Sequence, residues 1–216
     1  KFVETKERYH HGNVPDAVVS VALEQLDHQE VSELSLRGLA REIGVSATAV
    51  YRHFADKTEL VAAIADRGFA RLAERFEAAC PIGEDPASPA EAQARLIALG
   101  RAYLDFAVSA PELFRVMFGK EAAAYRRRRA AAPERTTPRP PPASEGRVYT
   151  FRYLEYVMAG LEQTGLVANV RPIDVNHAWA VIHGYAHLLV GQEDLGSPAQ
   201  VSETAAGRII ASVVTQ

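Results

Sequence analysis

The stretch GVSATAVYRHF, Gly44 to Phe54, gathers side chains suited to contact with a polyanion. Thr48, Tyr51, Arg52 and His53 all carry hydrogen-bond donors, and helical spacing puts Thr48, Tyr51 and Arg52 on one side. An arginine in that position can fork onto the O6 and N7 of a guanine, and a threonine can meet a base edge or a thymine methyl. Tyr51 and His53 can donate to phosphates, contacts that fix position without reading sequence. Ala47 and Ala49 are small enough to let a helix backbone approach the floor of a major groove. Ser46 stands where a helix needs an N-cap. Lys57 opens the following helix, where main-chain N–H groups also favour an anion.

A second constellation lies in AWAVIHGYAHLLVGQ. His183 and His187 are spaced i, i+4, as two imidazole ligands on one helix face would be. HGYAH lacks the glutamate of a zinc-protease helix, and no third ligand is evident, so no metal site is expected. Aromatic residues and methionines gather in the same half: Tyr103, Phe106, Phe114, Met117, Phe118, Phe151, Met158 and Trp179. They suit core packing, and equally the walls of an apolar cavity with His183 and His187 as its polar groups. There is no Gly-rich phosphate loop, no serine nucleophile elbow and no paired-carboxylate motif. Neither an enzyme nor a cofactor is therefore expected.

The elements that must position these residues are all helical. Apolar spacings of three and four recur along the chain, and no stretch alternates at period two between turn signals. Helices are expected at about 12–28, 36–43, 46–53, 56–79, 88–109, 111–118, 147–165, 172–192 and 198–215. Gly44 ends the second, and Asp56 with Glu59 forms a capping box for the fourth. The segment GKEAAAYRRRRAAAPERTTPRPPPASEG, about 120–146, reads as a mobile Arg/Pro-rich loop whose first half can extend as a helix. The four arginines 126–129 suit either solvent or nucleic acid.

The 216 residues allow one large domain or two small ones. A single cysteine, Cys80, precludes an internal disulfide and fits a reducing cytoplasm. No apolar run is long enough to span a bilayer, and the polar start KFVETKERYHHG does not read as a signal peptide. The formal net charge is −3, and residues 1–57 hold seven Lys/Arg against nine Asp/Glu. Any affinity for nucleic acid must therefore come from where charges sit, not from their net sign.

Taken together, LSLRGLAREIGVSATAVYRHFADKTELVAAI resembles the DNA-binding signature of the tetracycline-repressor (TetR) family of bacterial regulators, and YHHGNVPDAVVSVALEQL is similar to that family's first helix. The resemblance implies phosphate contacts from Arg37, Tyr51, His53 and Lys57, and base contacts from the positions of Ala47, Thr48, Ala49 and Arg52. Trp179, His183 and Gly184, with PELFRVMFG at 111–119, resemble the subgroup named for a Trp-His-Gly pattern.

The expectation is an all-α protein in two parts. Residues 1–56 form a three-helix helix-turn-helix domain for operator DNA. Residues 57–216 form a helical domain that binds a small apolar effector and dimerises through the helices at 172–192 and 198–215. The stripe Val201, Ala205, Ile209 and Val213 is the expected seam. The resulting function is a cytoplasmic, ligand-responsive repressor. A metal-sensing regulator, or a helical ligand-binding protein or enzyme without a DNA role, remains the alternative.

Overall fold

The computed structural model describes residues 13–83, 85–130, 144–191 and 194–214. Among the described residues there are ten α-helices and no strand: α1 (Val14–Gln25), α2 (Leu36–Glu42), α3 (Ala47–Tyr51), α4 (Lys57–Ala79), α5 (Pro89–Ser109), α6 (Pro111–Phe118), α7 (Lys120–Ala130), α8 (Ser144–Gln163), α9 (Pro172–Val190) and α10 (Pro198–Val214). A single 3₁₀ turn, Val31–Glu33, precedes α2. The molecule divides into two compact units. One runs to Ala65 and takes up the segment from Arg115 through α7; the other runs from Asp66 to Phe114 and resumes with α8.

In the first unit, local chemistry sets each helix boundary. Ser35 caps α2 by accepting from the Gly38 N–H at 3.1 Å. Gly44, at φ +75°, ends α2 in a left-handed turn that costs a residue without Cβ nothing. The Val45 N–H then reaches the Ala40 carbonyl at 2.9 Å and the Gly44 N–H the Arg41 carbonyl at 3.2 Å, the pair of bonds of a Schellman motif. Ser46 caps α3 through the Ala49 N–H. Asp56 accepts from the Glu59 N–H at 2.9 Å, while the Glu59 carboxylate reaches back to the Ala55 N–H at 2.7 Å. The expected capping box is therefore present, with its return arm displaced by one residue. Val18, Ala22, Leu39, Val50 and Phe54 are almost wholly buried and form the centre of the unit.

The second unit is organised on α5, which packs against α8, α9 and α10. Ser88 caps α5 by accepting from the Glu91 N–H at 3.2 Å, and Pro89 follows, where its missing N–H costs nothing. At the start of α9 the Arg171 guanidinium and backbone N–H both donate to Asp174. Those bonds hold the carboxyl well down, to about 2.

One expectation is refined and one changes. The first half of the segment at 120–146, read as able to extend as a helix, forms α7, and α8 starts at Ser144. KEAAAYRRRRA consists almost entirely of strong helix formers, so propensity supplies a helix where no apolar stripe announces one. Residues 131–143 lie outside the described residues. Second, the stripe Val201, Ala205, Ile209 and Val213 does not face outward; all four are buried in the subunit, on a helix that packs against α5 and α9. A period-four apolar stripe identifies a buried face without naming what buries it.

Candidate functional site

On the helix-turn-helix, burial separates a packing side from an open side. Val50 is fully buried on α3 and Phe54 just beyond it is 1% exposed. Thr48, Tyr51, Arg52 and His53 are exposed, and Ala47 and Ala49 are half-buried between the two sides. Tyr51 is 44% exposed, high for a large aromatic residue. Arg37 is exposed on the first turn of α2. The Ser46 hydroxyl is committed to the cap, so any further contact there must come from its remaining capacity. Lys57 Nζ donates to the Ser32 carbonyl at 2.6 Å, which ties the first turn of α4 to the 3₁₀ turn. α3 ends at Tyr51, shorter than expected, but Arg52 continues with helical dihedrals, so the open face keeps its spacing.

In the second unit, six of the expected ligand residues come together. Trp179 stacks on His183 with ring centres 5.0 Å apart and planes 15° apart, and Tyr103 meets Trp179 edge-on at 5.3 Å. Phe151 packs on Trp179 at 5.0 Å, and Phe114 contacts His187 at 5.2 Å. Phe76 and Tyr153 extend the cluster, and Phe76 was not expected there. Such tilted and edge-on pairs use the ring quadrupole as well as apolar burial.

A hydrogen-bond chain runs through the cluster. Tyr103 Oη lies 2.7 Å from His183 Nδ1, and His183 Nε2 lies 3.1 Å from His187 Nε2. Burial, then the neighbouring His187, hold the His183 imidazole down to about 4, so it is neutral near pH 7. Burial pushes the Tyr103 phenol well up, so it keeps its proton. A neutral imidazole has one N–H, which leaves two arrangements. Either the Tyr103 hydroxyl donates to Nδ1 and His183 Nε2–H donates to His187, or His187 Nε2–H donates to His183 and Nδ1–H donates to Tyr103. Among the described residues, no group of three or more His, Cys, Asp or Glu could hold a metal ion.

Beside the cluster lies a small, partly open cavity of about 30 Å³. Its walls include Phe76, Leu96, Leu99, Gly100, Tyr103, Leu154, Trp179, Ile182 and Ile209, with Thr150 and Ser202 as polar members and no charged residue. The histidines are absent from that lining; they back Tyr103 and Trp179 from behind. The α10 wall, Ser202 to Ile209, was not anticipated. The signal available in the sequence was a small residue on each helix, Gly100 and Ser202. A Cβ on Gly100 would stand 2.9 Å from Ser202 Oγ, and that hydroxyl donates to the Ile97 carbonyl at 2.6 Å.

The remaining expected residues lie elsewhere. Phe106 is buried beneath Arg75, whose guanidinium carbon is 5.3 Å from its ring centre. Met158 is fully buried on α8, but that helix lines the cavity with Thr150 and Leu154. Met117, fully buried, and Phe118, half-buried, belong to the segment that clusters with the first unit.

The family described as tetracyclin repressor-like, C-terminal domain, matches residues 96–213, and that of bacterial regulatory proteins, tetR family, matches residues 18–64. No curated protein matches the chain. Among solved structures, a protein of unknown function from Rhodococcus sp. RHA1 is 28% identical, with a TM-score of 0.72, over 97% of this chain and 100% of its own. A bacterial regulatory protein of the tetR family from Rhodococcus RHA1 is 16% identical, with a TM-score of 0.58, over 92% of this chain and 96% of its own. A tetR-family transcriptional regulator from Streptomyces coelicolor is 18% identical, with a TM-score of 0.57, over 93% of this chain and 81% of its own.

Proposed function

The chain belongs to the tetracycline-repressor family of bacterial transcriptional regulators, and from that premise we propose that it is a homodimeric repressor, bound to palindromic operator DNA and released by a small apolar effector. The observation that carries this reading is the open face of α3. Thr48, Tyr51 and Arg52 stand exposed on a capped helix whose opposite side is buried. Arg52 and Thr48 read bases, Ala47 and Ala49 permit close approach, and Arg37, Tyr51, His53 and Lys57 hold phosphates. Residues 1–56 act as the DNA-binding domain and the remainder as the effector and dimerisation domain.

Chemistry supports an uncharged effector, because no ionised group lines the cavity. Its volume of about 30 Å³ has room for water but for no larger molecule, whereas ligand pockets hold roughly 300 Å³ or more. Effector binding must therefore select an opened conformation, and release follows if the recognition helices of that conformation no longer match the half-site spacing. The Trp179–His183–Gly184 pattern supports membership of the Trp-His-Gly subgroup.

The outward faces of α9 and α10 suit a two-fold interface. Ile173, Leu188 and Val214 are large, apolar and exposed. Between them lie exposed Gly184 and Gly207, where an added Cβ meets nothing within 4 Å in the subunit.

Equilibrium binding to duplexes selected from a random pool, compared with random duplex at fixed salt, tests the reading. A selected duplex bound roughly a thousandfold more tightly is expected. Equal affinity for every duplex would overturn the proposed function. By linkage, an effector that weakens DNA binding must bind the DNA complex more weakly by the same factor.

A further inference from the structure

The helix-turn-helix is acidic in its own right. Residues 13–65 hold four Lys/Arg against eight Asp/Glu. A body of that sign repels a duplex at long range, and phosphate contacts supply most sequence-independent affinity. Within the same compact unit, the compensating charge comes from a distant part of the chain. The segment 115–130 holds six Lys/Arg against one Asp/Glu and belongs to the same compact unit as residues 13–65. The described residues of the unit thereby change from acidic to weakly basic, with ten Lys/Arg against nine Asp/Glu.

Four of those six cations are consecutive, Arg126 to Arg129, at the end of α7. The segment is held at its beginning: Val116, Met117 and Ala122 are buried, whereas Arg127 is exposed. A run of four guanidiniums is a dense positive charge, and a phosphate backbone is the polyanion that complements it.

We propose that Arg126–Arg129 of α7 form a second DNA contact outside the helix-turn-helix, one that grips phosphates and adds affinity without sequence preference. This rests on the reading of the chain as a DNA-binding regulator. The competing explanation is local: arginines in the last turn of a helix favour its dipole. That explanation predicts an effect on α7 and none on DNA.

The test uses the full chain and two duplexes of about 30 base pairs, long enough for two half-sites. One is selected by the protein from a random pool and the other is random. Replacing all four arginines by glutamine, also a good helix former, should weaken both complexes by the same factor, about tenfold or more at roughly 0.1 M salt. The plot of log affinity against log salt should become shallower by about two units or more, one for each subunit of a dimer. Four lysines instead should preserve the slope, because phosphates read charge. Arg127→Glu alone should also reduce it, giving a milder variant with the same readout. Unchanged slope and affinity, at unchanged helical content, would overturn the proposal and leave the arginines a local role. A change of base preference at constant slope would overturn it too. If the unaltered protein distinguishes no duplex, the functional reading itself fails; if it does and the variants match it, only this inference fails.

Discussion

Gly100→Ala is the most informative substitution in the second unit. The new Cβ would stand 2.9 Å from Ser202 Oγ and 3.4 Å from Ile182 Cδ1. The first distance is too short for any carbon–oxygen contact, so something must move. Ser202 is 1% exposed and its hydroxyl is held by the Ile97 carbonyl at 2.6 Å, so moving it breaks a buried hydrogen bond. That loss and the overpacking together cost about 2–3 kcal/mol. The gain in helix propensity returns about 1 kcal/mol, leaving the variant about 1–2 kcal/mol less stable. Ser202→Ala alone should cost about 1 kcal/mol, one neutral hydrogen bond.

The double variant separates these contributions. With Oγ gone, the nearest atoms to the new methyl are Ile182 Cδ1 at 3.4 Å and the residue-202 Cβ at 3.8 Å, both tolerable. The alanine then keeps its propensity gain, so the double variant should be more stable than Gly100→Ala. A favourable coupling of about 1–3 kcal/mol is expected, within the range found for residues in contact. Urea unfolding of all four proteins at one protein concentration measures it, the fixed concentration being required for a dimer. Additive effects within about 0.5 kcal/mol would refute the claim that α5 and α10 meet closely at this pair.

Other consequences can be measured separately. Tyr51→Phe and Lys57→Ala should weaken binding to all duplexes alike, the latter lowering the salt slope by about one unit per subunit, whereas Arg52→Ala should relax preference at one base pair per half-site; the opposite pattern in competition binding would reverse these roles. Gly184→Glu or Gly207→Glu should leave helicity intact but shift sedimentation from dimer to monomer, and an unaltered dimer would exclude these faces from the interface. The depressed His183 imidazole binds fewer protons folded than unfolded, so its contribution is complete above about pH 6.5 and is lost as pH falls through about 4. After allowance for partial exposure, the unaltered protein should lose about 1–2 kcal/mol more than His183→Gln on going from about pH 7 to about pH 4; equal losses would contradict this. Trp179→Ala should enlarge the apolar cavity, so that benzene raises the variant's thermal midpoint more than that of the unaltered protein; equal shifts would show that Trp179 is not its wall.

What the sequence disclosed depended on whether the cause was local. Ser46 and Ser88 cap the helices that follow them, and Gly44 ends α2, because caps and left-handed turns are decided within a few residues. The open side of α3 was legible for the same reason: Val50 and Phe54 fix which side packs. α7 was harder to see, since a helix made by propensity alone carries no apolar rhythm. Pairing between distant helices left the weakest trace. Phe106 and Tyr103 are both buried on α5, yet one lies under Arg75 and the other between Trp179 and Phe114. The stripe on α10 was recognised as buried, but its periodicity could not distinguish α5 of the same chain from a second subunit.

On the proposed function, the small cavity connects this packing to regulation. If an opened conformation makes up a fraction f of the ligand-free protein, the apparent dissociation constant of an effector is the intrinsic one divided by f. The features that keep f small are visible: Ser202 is bonded to Ile97, Gly100 allows that approach, and Trp179 is stacked on His183, which Tyr103 in turn engages. Each closes the apolar space without placing a charge in it. On that reading a neutral effector would meet no charged group in the lining, and its affinity would be limited chiefly by separating helices and rings that already pack together. On the proposed function, repression without effector and insensitivity to charged molecules share one physical origin: a small apolar space lined by no charged residue.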